Sequence, residues 1–228
     1  MLAQSQFVHS EDVPSIEAIT AFRAGMQPFW HPVVESAVLG DARPIAVKLL
    51  GRRLVVARLD DELVVLPDTC RHFQAQLSLG TIVRVGAEAG LQCPYHGWTF
   101  GSSGRCLRIP QLTEGRSIPA SANLPSYRAL ERYGLVWVNL EQTSSNGIPD
   151  FPEFDDPSFR KLRLTESEPM RTSSTRMVMA TLDDTHFPWV HEGILGDRTI
   201  SQDFIPKKGI EASRILCRFY RATTLPSM

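Results

Sequence analysis

Two stretches decide how this sequence reads: Cys70-Arg71-His72-Phe73-Gln74-Ala75-Gln76-Leu77-Ser78-Leu79-Gly80 and Leu91-Gln92-Cys93-Pro94-Tyr95-His96-Gly97-Trp98-Thr99-Phe100. Each supplies one Cys and one His, and twenty residues separate His72 from Cys93. Two thiolates on one iron and two imidazoles on the other form the donor set of one type of [2Fe–2S] cluster. Two loops that each give one ligand to each iron grip such a cluster from both sides. Neutral imidazoles in place of thiolates raise its reduction potential, so it accepts electrons more readily. Pro94 fixes φ directly after a ligand, and Gly97 permits a sharp exit. A Cys2His2 zinc site is the competing reading, since zinc accepts the same ligand types. Zinc sites usually pair Cys with Cys and His with His, whereas the pairs here are C-x-H and C-x-x-H.

Outward from these loops the chain alternates short β-prone runs with turns. Residues 45–50, 54–57, 63–66, 91–93, 98–100 and 133–140 read as strands. Asp60-Asp61 and Gly101-Ser102-Ser103-Gly104 read as turns between them. The pattern predicts a mostly β domain, an antiparallel sandwich or barrel, over residues 28–142. Residues 1–27 form an N-terminal extension, in which Ser15 can cap a short helix carrying Ile16, Ile19 and Phe22, with Gly25 near its end. Residues 143–160, rich in Pro, Ser and acidic side chains, read as a linker to a second domain over 161–228. There Ser173 or Ser174 can start a helix running to about Thr185, and residues 215–220 are β-like.

Composition narrows the function classes. The chain has 228 residues, 43% of them hydrophobic and 21% charged, an ordinary globular balance that excludes wholesale disorder. The net charge of −1 gives no nucleic-acid footprint. No stretch approaches the ~18 apolar residues that a membrane span needs. Residues 1–10 lack a basic and then apolar leader, so the expected location is the cytoplasm. Four cysteines are present. Cys106 and Cys217, which have no His beside them, are expected to be small buried hydrophobes.

The two opening stretches, together with Gly104-Arg105-Cys106-Leu107-Arg108-Ile109-Pro110, resemble the cluster region of Rieske proteins. The match is closest to the Rieske domain of non-haem iron oxygenase α-subunits, of the aromatic-ring-hydroxylating and O-demethylating type, and covers about Trp30 to Leu140. The resemblance implies that Cys70, His72, Cys93 and His96 hold a [2Fe–2S] cluster. One departure is Phe73-Gln74, where many relatives carry Arg-Gly.

A second stretch, Asp183-Asp184-Thr185-His186-Phe187-Pro188-Trp189-Val190-His191-Glu192-Gly193, resembles the mononuclear iron motif D-x-x-H-x-x-x-x-H of the same oxygenases. Two His and one carboxylate on one face of Fe(II) leave positions open for O2 and substrate. His186 and His191 would diverge by roughly 140° on a straight helix. Pro188 is expected to break it, with His186 ending one helix and His191 beyond the break. Asp183 lies one turn before His186. The resemblance implies that it bridges the iron's His to a Rieske His, either His72 or His96, typically of a neighbouring subunit. Met179 and Ala180 stand where the family often has Asn, and Asp184, Glu192 and Asp197 read as solvated carboxylates. The family's third ligand is a carboxylate much further along than this sequence reaches. The resemblance therefore implies a chain truncated early in an α+β, helix-grip type catalytic domain.

The function implied is that of a terminal oxygenase. Electrons would pass from a ferredoxin or flavin reductase to the cluster and then to mononuclear Fe(II). O2 would be activated there to hydroxylate or demethylate a small organic, commonly aromatic, substrate. A homotrimer is expected of the full-length protein. Two alternatives stand beside this reading: a Rieske electron-transfer module, or inactive oxygenase fragment, without mononuclear iron chemistry, and a zinc-stabilised structural module.

Overall fold

Leu54, Val55, Val56 and Ala57 are consecutive, apolar and all buried. A strand with one wet face would alternate; a strand covered on both faces has no reason to. A computed structural model describes residues 15–40, 43–160, 172, 176–177, 179–180, 183, 185–194 and 196–199. The chain divides into two compact units, residues 1–148 and 149–228.

In the first unit ten strands follow helix α1 (Ile16–Met26): β1 (Trp30–Glu35), β2 (Ile45–Leu49), β3 (Arg52–Leu59), β4 (Glu62–Pro67), β5 (Thr81–Val85), β6 (Glu88–Gln92), β7 (Thr99–Phe100), β8 (Cys106–Arg108), β9 (Arg128–Arg132) and β10 (Leu135–Asn139). They form three antiparallel sheets, ordered β1-β10-β9, β2-β3-β4 and β5-β6-β7-β8. The buried run in β3 feeds two cores. Val55, Ala57 and Leu59 pack with Leu77, Leu91 and Phe100, on the side of the β5–β8 sheet. Leu54 and Val56 pack with Val136 and Val138 of β10, on the other side. At ~1.5–3 kcal/mol per fully buried aliphatic side chain, this one strand is a principal source of cohesion.

Local chemistry sets the turns. Leu50-Gly51, Asp60-Asp61 and Tyr133-Gly134 each have positive φ at both residues, the backbone of the two-residue hairpin turn. Ser15 caps α1 as expected, its Oγ accepting the Ala18 N–H at 3.1 Å. Within the first unit, residues 144–146 are tied to the turn after α1. The Pro28 carbonyl accepts bonds from Asn139 Nδ2, Ser144 Oγ and Asn146 Nδ2 at 2.9, 2.5 and 3.1 Å.

In the second unit Arg176, Met177, Met179 and Ala180 are helical, but Asp183 is not. The expected helix therefore does not continue regularly to Thr185. Ser173, Ser174, Asp184, Cys217 and residues 215–220 lie outside the described residues. Among the described residues no helix is long and apolar enough to cross a membrane.

Candidate metal centres

The two Cys-His loops have the same backbone construction. Cys70 N–H donates to the Ala75 carbonyl at 2.8 Å, and Gln74 N–H to the Cys70 carbonyl at 3.0 Å. Cys93 N–H donates to the Trp98 carbonyl at 2.8 Å, and Gly97 N–H to the Cys93 carbonyl at 3.1 Å. The residue four beyond each Cys is left-handed, Gln74 at φ 56° and Gly97 at φ 73°. The second loop is the tip of the β6–β7 hairpin, whose last pair is Gln92 with Thr99. The first runs from β4 to β5 and is pressed against that hairpin at Gly80, where a Cβ would lie 2.0 Å from the Gln92 carbonyl oxygen.

This frame sorts the four side chains into two pairs. Cys70 and Cys93 are buried as free thiols in the same apolar core with Leu77, Leu91 and Phe100. His72 is exposed and His96 half-buried, with ring centroids 4.6 Å apart. Trp98 stacks on His72 at 4.7 Å with ring planes 6° apart, and Tyr95 lies 3.9 Å from the His96 ring. Burial pushes the Cys70 thiol up to about 11, the His72 amide pulls it down, and the neighbouring Cys93 adds to the rise. A bound cation reverses that balance, because a coordinating thiol is deprotonated outright.

His96 Nδ1 is buried with no hydrogen-bond partner. A buried ring nitrogen without a partner is costly unless something else occupies its lone pair. With two buried thiols inside and two imidazoles outside, one of them with a free inward nitrogen, the donor set fits a cluster of two irons.

A polar anchor that the motif did not reveal holds the first loop. Asp68 is 1% exposed. Its Oδ1 accepts the Ser78 N–H at 2.7 Å, and its Oδ2 accepts the Ser78 hydroxyl at 2.8 Å. The loop between Cys70 and Leu77 is thus closed by a buried carboxylate at its base. Nothing in the sequence links this acid, two residues before the first Cys, to the Ser eight residues after it.

In the second unit His186 and His191 are brought together, with ring centroids 5.4 Å apart and planes at 66°. Asp183 Oδ2 lies 3.6 Å from His186 Nδ1. Asp183 Oδ1 also accepts the Thr185 amide at 3.0 Å and the Thr185 hydroxyl. The Thr185 hydroxyl and amide hold the Asp183 carboxyl below its usual range, and His186 adds to this.

The expected break at Pro188 is not how the pair is formed. Residues Phe187–Val190 make one turn of helix, with His186 as its right-handed N-cap, His191 as its C-cap and Pro188 in the first turn. Proline is tolerated there because the missing N–H has no intrahelical partner anyway. His186 therefore starts a helical turn instead of ending a helix, and one turn returns His191 to its side. With Nδ1 facing Asp183, His186 leaves Nε2 for a metal, the usual arrangement of a carboxylate behind a ligating imidazole. Among the described residues no group of three or more His, Cys, Asp or Glu side chains converges as an ion site. Glu192 and Asp197 are exposed and turn elsewhere: Glu192 pairs with Arg198 at 3.0 Å, and Asp197 Oδ1 accepts the Thr199 amide at 2.8 Å.

The three-sheet fold and the paired loops define a Rieske [2Fe–2S] domain, and residues 29–128 match the model of that family. The chain is homologous to Rieske oxygenases. It is 38% identical over 183 residues to methylxanthine N1-demethylase NdmA of Pseudomonas putida, covering 77% of this chain and 50% of that protein. It is 34% identical over 178 residues to methylxanthine N3-demethylase NdmB of Pseudomonas putida, covering 75% and 50% respectively. The solved structure of NdmB from Pseudomonas putida CBB5 superposes with a TM-score of 0.67 at 33% identity, over 74% of this chain and 51% of that one. The chain spans about half the length of these curated relatives.

Proposed function

We propose that this chain carries a Rieske cluster on Cys70, Cys93, His72 and His96. Cys70 and Cys93 would bind one iron from inside the core, and the two histidines the other from the surface. We further propose that the cluster passes electrons to an iron held by His186 and His191, in a protein that oxygenates a small organic substrate. The observation that carries the reading is the pairing itself: two thiols buried in one core, two adjacent imidazoles, and a buried His96 Nδ1 with no partner.

When bound, the cluster supplies one-electron transfer at a potential raised by its imidazole ligands. The chain's own residues do the rest. The buried thiols sit in an apolar core that excludes water. Trp98 fixes the plane of the His72 ring by stacking on it. Asp68 closes the loop beneath. In the second unit Asp183 orients His186 through Nδ1, so that Nε2 is the nitrogen presented to metal. The same carboxylate is the group that would face a Rieske histidine in the assembled protein. The substrate class suggested by the N-demethylase relatives is an N-methylated aromatic heterocycle. An electron-donating ferredoxin or flavin reductase and O2 complete the reaction.

The test is iron, zinc and acid-labile sulfide per purified chain. The expected result is iron and sulfide in the ratio of one [2Fe–2S] cluster, plus further iron without sulfide. Iron and sulfide in equal amounts would reduce the proposal to an electron-transfer module. Zinc without sulfide would overturn it.

A further inference from the structure

Beside the first cluster loop lies an open cavity of about 440 Å³ whose charge is one-sided. Arg52, Arg53 and Arg71 line it with Cys70, Gln74 and Tyr127, and its lining includes no Asp or Glu. Among the described residues neither Arg52 nor Arg53 has an ion pair. Arg71 spends only Nε on the protein, donating to the Ser121 carbonyl at 3.0 Å. In the β2–β3 ladder, Lys48 stands directly opposite Arg53. Like charges directly opposite one another destabilise a sheet. The chain as a whole is slightly acidic, with a net charge of −1, so this basic strip is a local concentration.

We infer that this cavity is the docking point for an acidic protein surface, that of the electron donor, whose carboxylates seat against Arg52, Arg53 and Arg71 beside Cys70. The inference rests on the cluster reading above. Guanidinium forks match carboxylates bidentately, and a field of this kind steers association. The cavity is open, and the positive strip runs beyond it along β2 to Lys48. A surface partner can use that whole length; a small anion would use only the cavity. A donor seated here has a cluster ligand, Cys70, in the wall in front of it.

The test uses the full chain and an Arg52→Glu/Arg53→Glu variant with the same cluster spectrum. A labelled oligoglutamate peptide should bind the wild-type chain at low salt and bind the variant about tenfold or more weakly. Reduction of the cluster by an acidic plant-type ferredoxin should slow by about tenfold or more in the variant and lose its dependence on salt. Reduction by photoreduced deazariboflavin, a small reductant, should not change. Equal peptide affinity and equal salt dependence in the two proteins would overturn the docking assignment. So would displacement of the peptide by an equal concentration of inorganic phosphate, which would make the cavity a small-anion site. A chain without iron and sulfide would overturn the cluster reading instead, and the peptide arm still decides whether the arginines take carboxylates.

Discussion

Asp68 carries the first cluster loop on two oxygens. One accepts an amide and the other a hydroxyl of the same residue, Ser78, at 2.7 and 2.8 Å. Removing the carboxylate strands two half-buried donors, and a buried unsatisfied group costs about 1–3 kcal/mol. Asp68→Ala should therefore destabilise the first unit by about 3 kcal/mol in urea unfolding and lower the cluster content of the purified chain. Asp68→Asn keeps one acceptor and should lose less. Equal stability of Asp68→Ala and wild type would show that the carboxylate is not the anchor. Gln74 presents the opposite case, a residue whose backbone works against its side chain. It stands at φ 56°, in the place that Gly97 fills in the matching loop. A left-handed non-glycine residue costs roughly 1–2 kcal/mol, offset in part by the entropy that glycine loses on folding. Gln74→Gly should raise stability by up to about 1 kcal/mol, read as a higher urea midpoint at unchanged slope.

The β3–β4 turn shows how an element is placed as well as closed. Asp60 takes a left-handed conformation there, and its carboxylate reaches the next hairpin. It accepts the Ala89 N–H at 2.8 Å and pairs with Arg84 at 2.6 Å. These partners, the Ala89 amide first and Arg84 second, hold the Asp60 carboxyl below its ordinary value of 3.8. A carboxyl lowered on folding stabilises above its unfolded pKa, and that contribution is lost as pH falls through the folded one. Stability of the first unit should decline as pH drops below about 4. Asp60→Asn keeps a residue tolerant of the left-handed turn and should show a flatter decline over the same window, measured by urea unfolding at several pH values. Not every element was legible beforehand. β3, β4, β6 and β10 bury apolar runs and stand out in the sequence. The strands that sequence reasoning left out, β1, β5, β8 and β9, are all edges of their sheets. Edge strands carry what a buried strand cannot: Pro32 in β1, with a register shift beside it, and three charged residues of five in β9. Pattern reading finds apolar burial, even at an edge such as β4, and misses the edge strands without it, which are specified by their neighbours' hydrogen bonds instead.

The candidate centres differ in how local their chemistry is, and that decides what the whole chain should do when each is broken. The Cys and His residues of the first centre were readable because each pair is fixed by its own loop. The Asp68–Ser78 closure was not, since neither residue type announces a buried partner. The second pair was readable as residues but not as geometry, because Pro188 can end a helix or begin one and the sequence does not say which. All four proposed cluster ligands lie within residues 1–148, whereas Asp183, His186 and His191 lie within 149–228. Each unit encloses its own donors, so the two metals should be lost independently. Cys93→Ser removes one of the two proposed thiolate ligands and should abolish the visible cluster spectrum. His186→Ala should leave that spectrum intact and remove only the iron that is not accompanied by sulfide. Iron, sulfide and absorbance measured on the same three samples separate the outcomes. A cluster lost in His186→Ala would mean that His186 serves the first centre, and an intact spectrum in Cys93→Ser would remove the basis for assigning either loop.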